Sequence, residues 1–145
     1  MQTPRRWAAR AGALLALAVC CCAARAGDVS WTQAKVSPAI NYKNVAVATA
    51  YLPDAAAAPI APGARITRVH AMRSYGGGSM VQTEVCWDGT SRCIPMTGGS
   101  INTHEFNGLD PSRPMYLVHK VPGEGRGPLP APVFVKGSVV VWYAP

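Results

Sequence analysis

Past residue 26, few side chains of this chain can do chemistry. They are Cys86 and Cys93, the histidines His70, His104 and His119, and seven carboxylates. A structural metal takes four ligands at characteristic spacing, and two cysteines with three scattered histidines do not supply that pattern. A glycosidase needs two placed carboxylates. Glu84 and Asp88 come nearest in sequence, but they flank a turn, where carboxylates are ordinarily solvated. Serine chemistry lacks its Gly-x-Ser-x-Gly elbow, since Gly78-Ser79-Met80-Val81 breaks that pattern. Gly76-Gly77-Gly78 and Gly123-Glu124-Gly125-Arg126-Gly127 are glycine-rich but lack the Lys-Ser/Thr ending of a phosphate loop. The residues point to no catalytic group, no cofactor and no metal.

The N-terminus explains the remaining cysteines. Arg5, Arg6 and Arg10 give a basic start, Ala11 to Cys22 an apolar run, and Ala24-Arg25-Ala26 a small-x-small cleavage site. These are the three parts of a secretory signal. The apolar run is far shorter than the ~20 residues that span a bilayer. Leu17-Ala18-Val19-Cys20 makes a poor lipoprotein signal, because Val19 stands where a small residue is expected. We therefore expect residues 1–26 to be a signal peptide and 27–145 to be a single exported domain. Cys20, Cys21 and Cys22 leave with the signal, and Cys86 and Cys93 remain as an even pair. In an exported chain such a pair is a disulfide.

Charge gives no nucleic-acid signal. The whole chain carries +7, but four arginines lie within the signal, and ten basic against seven acidic residues remain. The basic residues after position 26 are scattered singly.

The elements that must position these residues are strands. Asp88-Gly89 between the cysteines is a hairpin signal. Before it, Val81, Val85 and Trp87 alternate with Gln82, Glu84 and Cys86 at the period of a half-buried strand. Placing Cys86 opposite Cys93 sets Val85 against Ile94, and Trp87 against Arg92, whose guanidinium can lie on the indole. Further strands are expected at Val29 to Val36, Asn44 to Tyr51, Arg65 to Arg73, Ile101 to Phe106 and Met115 to Val121. An Ala/Pro linker is expected at Leu52 to Gly63 and a Pro/Gly-rich loop at Pro122 to Pro132. Val133 to Lys136, a Gly137-Ser138 turn and Val139 to Tyr143 make a closing hairpin. The last strand, apolar on both faces, belongs inside a sheet. No segment sustains a helical period, so the expected fold is an all-β, small antiparallel β-sandwich with one disulfide-stapled hairpin.

His119 and His70 alternate with apolar neighbours and are expected at the rim of the core. His104, in Thr103-His104-Glu105, lies in a polar context suited to structural hydrogen bonding. Trp31, Trp87, Trp142, Tyr51, Tyr116 and Tyr143 are many aromatics for a small domain. They either fill its core or expose a recognition platform for sugars, the mark of an exported carbohydrate-binding module.

From the hairpin onward the chain resembles the FlhE family, exported proteins encoded with the flagellar type III export apparatus of Gram-negative bacteria. The resemblance rests on Val85-Cys86 with Ser91-Arg92-Cys93, then Gly98-Gly99, Thr103-His104 and Phe106. It continues through Val121-Pro122-Gly123-Glu124-Gly125-Arg126 to Trp142-Tyr143, with Trp31 and Asn41-Tyr42-Lys43 fitting upstream. It implies a periplasmic β-sandwich without catalytic residues that limits proton leakage through the export gate or acts as a chaperone in rod assembly. Flagellar export or rod proteins are the partners expected from it. A chaperone needs an exposed apolar patch or an accessible strand edge. Trp87, Arg92, His104 and Arg126 are the candidate partner surface.

Overall fold

A computed structural model describes residues 28–145; the expected signal peptide, residues 1–26, lies outside them. Ten strands follow in order. They are β1 (Val29–Val36), β2 (Ile40–Tyr42), β3 (Val47–Tyr51), β4 (Arg65–Tyr75) and β5 (Gln82–Trp87). Then come β6 (Cys93–Met96), β7 (Ser100–Thr103), β8 (Met115–Lys120), β9 (Pro128–Val133) and β10 (Val135–Ala144). No described helix is long and apolar enough to cross a membrane.

Two four-stranded antiparallel sheets form the sandwich, with strand orders β1-β10-β4-β7 and β3-β8-β5-β6. A two-stranded ribbon, β2-β9, closes one end. The main core lies between the sheets. Trp31, Ile66, Val69, Val139 and Val141 come from the first, and Tyr51, Val85, Met115 and Leu117 from the second. A smaller cluster of Ile40, Val81, Val121, Val133 and Val135 fills the ribbon end. The hairpin has the expected register, with Cys86 opposite Cys93 and bonded to it, and Val85 opposite Ile94. Asp88 at φ 51° and Gly89 at φ 123° make its turn.

Three expectations are corrected. Gly137-Ser138 is not a turn: β10 runs straight through it, paired with β1 on one side and β4 on the other. Gly137 is there because a Cβ at this position would lie 2.7 Å from Leu117 Cδ1 and also strike the Tyr51 hydroxyl. Glycine within a strand marks such a close approach. Second, the expected loop contains β9, which pairs only with β2, itself a strand the sequence reading did not find. A strand with one partner uses every other N–H, so proline at positions 128, 130 and 132 is compatible with pairing. Third, His119 is not at the rim; it is fully buried.

Candidate functional site

Trp87, Arg92 and His104 belong to one end of the sandwich, and Arg126 to the other. At the first end the loop 104–114 joins β7 to β8 and caps the core. Trp31 Nε1 donates to the carbonyl of Pro111 at 2.9 Å, and Trp87 Nε1 to that of Asp110 at 3.0 Å. Asp88 N donates to the carbonyl of Pro114, and its carboxylate pairs with Arg113 at 3.2 Å. Ile66 and Gly108 add backbone bonds that tie the loop to β4. His104 Nδ1 lies 2.9 Å from the carbonyl of Thr67, the structural role its polar context suggested. The Ser112 hydroxyl and backbone N–H hold the Asp110 carboxyl below the usual carboxylate range.

Trp87 is therefore half-buried and committed to this loop, while Arg92 is exposed. The expected stacking of Arg92 on Trp87 gives way to Arg68 on Trp142, at 3.9 Å. At the far end, Arg126 lies in a loop held by Asn44, whose side-chain amide donates to the carbonyls of Gly123 and Gly125. Asn44 takes φ 57°, a conformation asparagine tolerates, to reach them.

Between the two apolar clusters runs a layer the sequence reading missed. Thr49 lies between Val47 and Tyr51 on β3, and Arg73 between Ala71 and Tyr75 on β4. Thr83 lies between Val81 and Val85 on β5, His119 between Leu117 and Val121 on β8, and Gly137 between Val135 and Val139 on β10. In each case one neighbour two residues away packs with the main core and the other with the ribbon-end cluster. Each member occupies an inward position of its strand and breaks its apolar face. That interruption at one level of five strands was the available signal.

Arg73 organises the layer. Its Nε donates to the carbonyl of Gly98 at 3.0 Å, and its Nη1 to the carbonyl of Val81 and to Thr83 Oγ1, the latter at 2.8 Å. Thr83 in turn meets His119 Nδ1 at 2.9 Å. The Thr83 oxygen offers two lone pairs as well as its own hydrogen, so either tautomer of neutral His119 fits this bond, and the ring's other nitrogen is Nε2. That nitrogen, Thr49 Oγ1 and the Tyr51 hydroxyl are buried with no hydrogen-bond partner among the described residues. Burial, and then the nearby Arg73 cation, push His119 down to about 4. Burial pushes Tyr51 up to about 12. Both stay neutral near pH 7, as groups cut off from water must.

Arg73 also reaches a cavity of about 590 Å³ at the Val81 end of β5, lined both by outward residues (Gln82, Glu84, Lys120) and by inward ones (Val81, Thr83, Met96). Among its walls are Tyr75, Met80, Met96 and Val118, with Lys120 and Glu84 contributing charge. Among the described residues no group of three or more His, Cys, Asp or Glu is arranged to hold a metal ion.

A crystal structure of FlhE matches this architecture with a TM-score of 0.69, over 83% of this chain and 100% of that one. The fold is that of FlhE. Sequence identity to FlhE over the match is 24%. No family model and no curated protein matches the chain. The FlhE-like fold agrees with the family resemblance read from the sequence.

Proposed function

We propose that this protein is a non-enzymatic periplasmic accessory protein of the flagellar type III export system. In this reading it limits proton leakage, acts as a chaperone for rod and flagellar subunits, or both. The observation that carries the reading is the correspondence of fold with the whole of FlhE. An N-terminal signal and a disulfide, which persists in oxidising compartments, agree with a periplasmic site. The tryptophans weigh against the carbohydrate-binding alternative. Trp31 and Trp87 fasten the capping loop, and Trp142 carries Arg68, so each ring already has an internal role.

Deleting the gene in its host tests the proposal. Motility, cytoplasmic and periplasmic pH, and electron micrographs of the periplasm are the readouts. Impaired motility, acidified cytoplasm or misplaced filaments are expected. Normal flagella with unchanged proton balance would overturn the reading.

A further inference from the structure

The cavity beside Arg73 has the chemistry of a peptide site. Outward positions of the sheet form one side of it, and the inward Val81, Thr83 and Met96 beside Arg73 form the other. Val118 and Lys120 come from β8, Gln82 and Glu84 from β5, Pro95 from β6, and Ala46 precedes β3. The lining thus crosses the whole sheet. Three strand spacings make about 14 Å, the length of roughly four extended residues. Its volume, about 590 Å³, lies in the range of real ligand sites.

Charge and polarity narrow the occupant. Arg73 is half-buried, and its nearest described partners are carbonyls and a hydroxyl rather than a carboxylate. The one described ion pair within 4.0 Å joins Arg113 to Asp88, at the opposite end of the sandwich. Arg73 spends Nε and Nη1 on its own chain, which fixes the guanidinium and leaves Nη2 without a partner among the described residues. A half-buried guanidinium so placed is suited to a carboxylate. Lys120 lines the same trough and adds a second cation, so that with Glu84 as its one carboxylate the lining carries a net positive charge. Met80, which is 65% exposed and follows Gly76-Gly77-Gly78, offers an adaptable apolar contact at the rim. Gln82 and Glu84 supply the acceptors and the amide donor that a peptide backbone uses and an acyl chain does not.

We propose that this trough binds an extended peptide segment in which a carboxylate adjoins apolar side chains. The carboxylate meets Arg73 and Lys120, and the apolar side chains lie against Met80, Val118 and Pro95. The assignment stands on the trough's own chemistry and is independent of the flagellar reading.

The test uses isotope-labelled protein purified from its host. Three probes are titrated: a six-residue peptide ending in leucine, leucine and aspartate; the same peptide with asparagine and an amidated end; and decanoate. Amide resonances report the position of binding. The acidic peptide is expected to shift Gln82, Glu84 and Val118, and the neutral form, which lacks both carboxylates, to bind at least about tenfold more weakly, the loss of at least one charge-assisted bond. Lys120→Glu and Met80→Ser, at positions away from the core, are expected to weaken the acidic peptide while leaving the spectrum of the free protein native. Arg73→Gln tests the guanidinium itself, and the two surface variants decide the matter where that variant fails to fold. Equal affinity for both peptides, shifts confined to other faces, or no binding would overturn the proposal. Binding of decanoate with none of the peptide would overturn the peptide assignment.

Discussion

Trp31 and Trp87 hold one loop from two different sheets. Their indole N–H groups donate to the adjacent carbonyls of Pro111 and Asp110, at 2.9 and 3.0 Å. The capping loop is thereby a clasp between the sheets at the end where β7 passes to β8. Replacing Trp31 with Phe leaves the Pro111 carbonyl without its donor in a buried setting and removes core volume. A loss of about 2 kcal/mol is expected in urea unfolding. Trp87→Phe acts at a half-exposed position and should cost less, about 1 kcal/mol. Hydrogen exchange should quicken in residues 104–114 in both variants, and an unchanged rate would contradict the clasp.

His119 makes stability depend on pH. Its folded value is about 4, against 6.5 in the unfolded chain. Between those values the unfolded chain binds more protons, so stability falls as pH drops from about 6.5 to about 4 and this contribution levels off below. The full loss is on the order of 3 kcal/mol. Protonation would also set a second cation beside Arg73. Urea unfolding at stepped pH checks this, with His119→Gln as control. The variant should lose the slope in that window but keep the acid loss from Asp110, whose carboxyl titrates below its ordinary value.

Gly137 and Tyr51 should prove coupled. Gly137→Ala drives a methyl into Leu117 and the Tyr51 hydroxyl and is expected to cost roughly 1–3 kcal/mol. Tyr51→Phe removes a buried hydroxyl that has no partner among the described residues, so it should be neutral or mildly stabilising. The double variant should recover part of the glycine loss, giving a non-additive cycle. Strict additivity would separate the two residues.

The disulfide should add stability without setting the register. Cys86 and Cys93 are already opposite partners in a ladder that continues through Val85–Ile94 to Thr83–Met96. Replacing both with alanine should cost about 2–3 kcal/mol on the chain-entropy model. Spectra of the variant should keep the same strand pairing, and a shifted register would refute this.

Local pattern was enough for the hairpin, because alternation, a turn dipeptide and a cysteine pair all agreed on one register. It failed at Gly137, where the cause is Tyr51 and Leu117, distant residues crossing from the other sheet. It failed again at β9, since proline every second residue has the composition of a loop unless a one-sided partner is known. The partner-surface residues divided for a similar reason. Nothing local shows that the Arg126 loop and the hairpin tip close opposite ends of a sandwich. Arg73, Thr83 and His119 are each ordinary strand residues alone, and only the stacking of five strands makes them a layer. The trough escaped notice because it is built from outward and inward residues of several strands that share no motif.

The proposed role of this protein is to serve flagellar export from the periplasm. Complementing the deletion strain with the full chain, and separately with residues 27–145, tests it most directly. The account predicts that the full chain restores motility and proton balance, and that the chain without its signal, folded but kept in the cytoplasm, does not. Equal rescue by both chains would contradict it, as would a deletion strain with nothing to rescue.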